Sequence, residues 1–292
     1  MKLNLIRMDR IEEYLLRHLL KCFSIFAITL LPFQVLAQKE FYTPKSLIIP
    51  LHDRENQLHI SVGKGGGYDL NLSYALTDKL AIFSAATFDN GTKKRLSILS
   101  DRYNVERNDL VLKGGLGYLF KEVNPYFPII EAFVGAGASR INNYWYFKGD
   151  DSGEETNARY WTAFGQLNAG NKIGRSEYGV GLRLAYSHYT DFDFYDTHPN
   201  NSARKSSYEN LRGLTADPVV SYSYTLYGVK LNAQAGLAVP VFTSSVNRID
   251  TQTTYEGTSE IRTINKSKED VYLFSVLGRL SVQYNLNFNK QK

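Results

Sequence analysis

The residues best suited by type to do chemistry lie close together. His188-Tyr-Thr-Asp191-Phe-Asp193-Phe-Tyr-Asp196-Thr-His198 gathers two imidazoles and three carboxylates into one short stretch. A carboxylate or an imidazole can act as general base toward a water, and carboxylate oxygens with imidazole nitrogens also bind divalent cations. All of these groups fall here in one piece of chain. Asp191, Asp193, Asp196 and His198 are therefore weak metal candidates, no catalytic residue is assigned, and the favoured reading is a solvated, acidic, aromatic surface loop. A second set is dispersed: Asp69, Lys113, Glu131, Arg183, Lys230 and Arg279 each stand on the polar side of an alternating stretch. No spacing sets a serine nucleophile beside a base. Gly63-Lys-Gly-Gly-Gly67 lies between two alternating stretches and reads as hairpin-turn chemistry, with no strand-to-helix phosphate loop. No cofactor is expected.

Strands must position these side chains. Val229, Leu231, Ala233, Ala235, Leu237 and Val239 alternate with Lys230, Asn232, Gln234 and Gly236, and a longer alternation runs from Tyr272 to Phe288. Period two is the mark of a strand with two unlike faces. Weaker versions run near 58–63, 69–76, 80–89, 109–120, 128–140, 158–170, 178–187 and 217–227, with 80–89 ambiguous in phase. The total is about ten, and bacterial single-chain barrels have an even number. Short connections at 77–79, 121–125, 171–177 and 227–228 alternate with long polar stretches at 90–107, 141–157, 189–213 and 243–268. That sorting by length is what periplasmic turns and surface loops produce. Aromatics fall at both ends of the strands: Tyr118, Phe120, Tyr126, Phe127 and Tyr284 near one, Tyr144, Trp145, Tyr160, Trp161 and Tyr189 near the other. Rings at both interfaces are expected of a spanning barrel. The fold class is thus all-β, a closed antiparallel transmembrane up-and-down barrel of about ten strands. Closure satisfies backbone groups that hydrocarbon cannot.

The compartment is read from the first residues. Scattered basic groups from Lys2 to Lys21 precede an apolar run, Cys22 to Leu31, and Val35-Leu36-Ala37 offers small or medium residues for cleavage after Ala37. This is the layout of a secretory signal, with Met8 as an alternative start. Its removal takes five of the 34 basic and three of the 29 acidic residues, leaving a net charge of about +3, too balanced to argue for nucleic acid. Cys22, the single cysteine, leaves with the signal, so disulfides are excluded. The expected domains are 1–37 signal peptide, 38–56 a segment hanging in the periplasm or leading into the barrel, and 57–292 the outer-membrane barrel.

Tyr42-x-Pro44, Ile49-Pro50-Leu51 and the run Tyr68-Asp-Leu-Asn-Leu-Ser-Tyr-Ala-Leu-Thr-Asp-Lys-Leu-Ala-Ile82 together resemble an outer-membrane β-barrel family of the Bacteroidota. The resemblance covers about residues 42–90 and implies location and fold, with no catalytic residues. Many members carry an acylated cysteine after the signal, where this chain has Gln38. Surface barrel proteases called omptins use Asp-x-Asp and Asp-x-His pairs, but on opposite sides of their cleft. The expected function is an integral outer-membrane barrel without catalysis, structural or interactive. Its long surface loops, rich in Tyr, Asn, Ser and Arg, would contact envelope or extracellular macromolecules, and its wall outer-membrane lipid. The alternative is a small passive pore, porin-like in character, and a surface hydrolase at 188–198 is the third reading. The lumen charges are expected to form internal ion pairs, since unpaired buried charges are costly.

Overall fold

A computed structural model describes residues 47–95, 103–121, 126–147, 153–198, 202–256, 259–271 and 273–288. The signal segment lies outside these residues. The strands are β1 (Gln57–Lys64), β2 (Tyr68–Ala75), β3 (Leu80–Arg95), β4 (Tyr103–Lys121), β5 (Ile129–Phe147), β6 (Gly153–Ile173) and β7 (Ser176–His198). They continue as β8 (Ser202–Glu209), β9 (Arg212–Leu226), β10 (Val229–Thr243), β11 (Ser245–Glu256), β12 (Ser259–Asp270) and β13 (Ser275–Asn287).

Ten of them close a ring. Each neighbour from β1 to β7 pairs antiparallel with the next, β7 pairs with β9, β9 with β10, β10 with β13, and β13 returns to β1. These ten coincide with the ten alternating stretches. The alternation arises because lumen and lipid make opposite demands on successive residues. Along β6, Thr162, Gln166 and Asn168 are buried inside while Trp161 and Leu167 stand outside. Val62, Leu70, Leu112, Leu116, Val134, Leu182 and Leu280 contribute to a continuous exposed apolar wall. From Leu80 to Phe88, β3 carries nine residues across it, about 27 Å along the strand, as a tilted span through a ~25 Å apolar band requires. Tyr118, Phe120, Tyr126, Phe127, Tyr224 and Tyr284 ring the short-turn end, and Tyr68, Phe88, Trp161 and Phe242 the other.

Four of the five aromatics expected in the outer girdle are elsewhere: Tyr144 and Trp145 stand farther out along β5, opposite Glu106 and Val105 of β4. Tyr160 and Tyr189 point inward and are 4% exposed, their ring centroids 4.6 Å apart. Both have inward parity on their strands, so they plug the mouth instead of facing lipid. The phase of β3 is settled too: Ala81, Phe83 and Thr87 face the lumen. Its inner face is itself apolar over Ala81-x-Phe83-x-Ala85, which is why alternation alone is ambiguous there.

The four long polar stretches are largely strand, not loop. β3 runs on to Arg95, β4 begins at Tyr103, β5 reaches Phe147, and β6 and β7 extend to Gly153 and His198. Beyond the bilayer both faces of a strand meet polar surroundings, so the apolar–polar contrast that marks a span fades while backbone pairing continues. The remaining strands make this outer tier by continuing the barrel strands across a short jog. β8 leads through Asn210 (φ 63°) and Leu211 into β9, β10 through Ser244 into β11, and β12 through 271–274 into β13. Tyr189 N–H donates to Leu211 O at 3.0 Å and Ser244 N–H to Arg212 O at 2.9 Å, holding two of the jogs. β8 pairs with the outer end of β7, β11 with β8, and β12 with β11. The two-residue turn Tyr227-Gly228 joins β9 to β10 with both residues at positive φ (49° and 82°), the geometry whose twist matches a tight hairpin.

Candidate functional site

The interior is occupied from three sides. At mid-height, Phe83, Phe133 and Phe164 pack across the lumen, with the Phe83 and Phe133 centroids 5.3 Å apart and nearly perpendicular. At the mouth, Tyr160, Tyr189, Phe192, Phe194, Tyr208, Leu211, Val246, Val271 and Leu273 form an apolar cap in which two of the three jogs take part. Toward the short-turn end, the chain preceding β1 runs inside the barrel. Leu47, Ile48, Ile49, Leu51 and His52 are all buried.

That inner segment is held by side chains of the wall. Gln166 and Asn168 both donate to Ile48 O, at 2.7 and 2.9 Å, and Gln234 donates to Leu47 O at 3.2 Å. His52 N–H donates to Glu131 Oε1 at 2.8 Å, and His52 Nδ1 lies 3.0 Å from the same oxygen. Asn168 Nδ2 donates to Glu131 Oε2 at 3.2 Å, so both carboxylate oxygens are used. Gly170 has no room for more: a Cβ there would stand 2.3 Å from Leu51 Cδ1. Below the segment, Asp53 meets Lys172 and Arg54 at 3.2 and 3.1 Å. Burial alone would raise the Asp53 pKa, but these two cations outweigh it and hold the carboxyl well below its usual range. The segment 38–56, which the sequence places either in the periplasm or at the barrel entry, thus lies in the lumen over 47–52.

The six dispersed charges all have inward parity, and Asp69, Glu131, Arg183, Lys230 and Arg279 are buried. Arg279 Nε donates to Asp69 Oδ1 at 2.8 Å and its other nitrogens reach Ser61 and Ser281. Arg183 makes two contacts with Asp217 Oδ2, at 2.8 and 2.7 Å, and Lys230 Nζ lies 2.6 Å from Glu177 Oε2. Lys113 and Arg183 lie over the Phe164 ring, each about 5.9 Å from its centroid, beside a small cavity lined also by Ile48 and Gln166. The partners Asp217, Glu177 and His52 were not singled out in the sequence. Asp217 and Glu177 stand at the edges of alternating stretches with the right parity, but which cation each meets depends on register.

The stretch 188–198 is not a loop. It is the outer half of β7, and strand geometry separates its acids. Phe192 and Phe194 are buried on the inner face, so Asp191 and Asp193 take the outer face while Asp196 falls on the side of the phenylalanines; the side chain of His198 lies outside the described residues. Asp193 is engaged locally, accepting from Ser207 Oγ at 2.6 Å and pairing with Lys205 Nζ at 2.9 Å. Among the described residues no three His, Cys, Asp or Glu side chains converge as a metal site.

The outer sheet has its own polar network. Asp250 accepts from Ser206 Oγ, Arg204 Nη2 and Arg248 Nε at 2.6, 2.9 and 2.9 Å, and Arg248 Nη1 donates to Glu269 at 2.9 Å. Burial would raise the Asp250 pKa, but these three donors together bring it to about 2. This network lies on the sheet face shared with Tyr208 and Val246, above the cap.

No family model and no curated protein matches the chain. Among solved structures, the translocator domain of the autotransporter NalP from Neisseria meningitidis is similar with a TM-score of 0.41 and 10% identity, over 78% of this chain and 85% of that one. A major outer membrane protein from Thermus thermophilus gives 0.35 and 14%, over 80% of this chain and 100% of that one. Acinetobacter baumannii CarO2 gives 0.31 and 12%, over 80% and 100%. Scores this low carry no function across, and the barrel rests on its own strand pairing.

Proposed function

We propose that this protein is an integral barrel of the bacterial outer membrane, without catalysis, whose lumen is closed and whose outer tier meets envelope or extracellular macromolecules. The apolar wall between two aromatic girdles supports the membrane assignment, and the resemblance of residues 42–90 to Bacteroidota barrels agrees with it. One observation carries the closed reading: the buried segment 47–52, fastened through Glu131, Gln166, Asn168 and Gln234 across the space a solute would need. Paired charges below the aromatic layer and an apolar cap above it act in the same direction. The outer tier supports a contact role because its strands stand clear of the apolar wall and expose Arg, Lys, Thr and Asn side chains. The opposite facing of Asp191 and Asp193 relative to Asp196 supports the non-catalytic reading over a surface hydrolase at 188–198.

Planar-bilayer recordings test this. The purified barrel should insert and give no steady open level. Reproducible conductance steps from the intact chain would favour the passive pore instead.

A further inference from the structure

The outer tier has fewer strands than the ring beneath it. In the ring, β1 and β2 stand between β13 and β3, but their hairpin ends at Gly65-Gly66-Gly67, with Lys64 opposite Leu280 and Tyr68 opposite Phe88. β3 continues beyond Phe88 with β4 alone on one side, and β12 continues above β13 with β11 alone. Around the outer rim the order is therefore β3-β4-β5-β6-β7-β8-β11-β12, and among the described residues no strand pairs with the far side of β12. In the ring below, β13 and β3 are three strand spacings apart, roughly 14 Å.

The β12 side of this seam carries a row of cations. Arg262, Lys266 and Lys268 share one face of β12 with Ile264 between them, and all four side chains are exposed, Ile264 at 56%. Unlike Arg204, Lys205 and Arg248, whose charges are answered within the sheet, these three cations have no hydrogen bond or ion pair among the described residues. Lysines on an edge strand repel a second copy of the same edge. They do not repel an extended segment of opposite charge, and adding such a strand would use the open backbone row of β12.

We propose that this seam is a strand-addition site for an extended acidic polypeptide segment, which pairs with β12 and sets carboxylates against Arg262, Lys266 and Lys268 and an apolar residue against Ile264. This deepens the surface-contact reading and rests on it. Phosphate-rich glycolipids and acidic polysaccharides share the charge but have no backbone row to pair.

The test uses the full mature barrel in detergent, first shown to be heat-modifiable, so that failure of the barrel reading is seen separately. The probe is a fluorescent decapeptide of alternating valine and glutamate, with its N-methylated and valine–lysine counterparts as controls. Binding should be measurable by anisotropy, and hydrogen exchange should slow at alternate amides of 259–270. Replacing all three cations (R262E, K266E, K268E) should weaken it about tenfold or more, three exposed pairs at roughly 0.5 kcal/mol each. N-methylation, which keeps charge and removes the strand donors, should weaken it at least as much. No binding of the acidic peptide, equal binding of the N-methylated form, or unchanged exchange in 259–270 would each overturn the proposal.

Discussion

Replacing Glu131 by alanine should loosen the inner segment without dismantling the barrel. Glu131 is fully buried and its two oxygens serve the His52 amide, the His52 ring and Asn168, at 2.8, 3.0 and 3.2 Å. Each donor left unmet inside the lumen costs about 1–3 kcal/mol, and water entering the vacated space recovers part of that. The net falls near the 3–5 kcal/mol typical of removing one partner from a buried pair. The loss is concentrated on the segment, because among the described residues the Glu131 carboxylate hydrogen-bonds the wall only through Asn168. Hydrogen exchange over 47–56 should then speed up by about 10²- to 10³-fold, since each 1.4 kcal/mol of lost protection is a factor of ten. Exchange in β4, β5 and β6 should stay near wild type. Glu131→Gln, which keeps the shape and one acceptor, should give a smaller acceleration. Unchanged protection of 47–56 in the alanine variant would refute the view that Glu131 fastens the segment.

Other outcomes follow from the same contacts. Leu116→Arg, at a wall position 62% exposed and flanked by Val134, should destabilise the barrel in lipid by about 2–4 kcal/mol in reversible urea unfolding, the cost of a cation near the bilayer midplane. Arg183→Met should destabilise by about 3–5 kcal/mol because Asp217 stays buried and loses both of its Arg183 contacts, and Arg183→Met with Asp217→Leu should recover much of it. The folded pKa of Asp250, about 2, lies below its usual 3.8. Its stabilising contribution is therefore present above pH 4 and lost as pH falls through about 2. Protection of β8 and β11 amides should fall across that interval, and Asp250→Asn should remove the dependence. Gly170→Val should displace Leu51 and accelerate exchange in 47–56 as Glu131→Ala does.

The ring was legible wherever lumen and lipid imposed opposite demands on neighbouring residues. Val229 to Val239 and the stretch ending at Phe288 announce their faces because every second side chain meets hydrocarbon. Inward placement of Arg183 and Arg279 follows from parity alone. Three things were not legible, each for a physical reason. The outer tier reads as loops in the sequence because, above the bilayer, strands such as β11 and β12 carry Thr, Arg, Asn and Lys on both faces. The run Leu47-Ile-Ile-Pro-Leu51 has no alternation, and only the wall's amides and glycines reveal that it lies inside. The ion-pair partners depend on register, which brings Glu177 to Lys230 over 53 residues and Asp69 to Arg279 over 210. Strand geometry likewise undoes the grouping of Asp191 to His198: spacing gathers the acids along the chain, and the pleat divides them.

The central claim is a closed barrel that spans the outer membrane. Its most direct test is the gel mobility of the protein recovered from fractionated cells, compared with and without heating in detergent. Recovery in the outer-membrane fraction, with a folded band that runs faster before heating and shifts on boiling, is the predicted result. Recovery in the soluble periplasmic fraction with one mobility at both temperatures would contradict it.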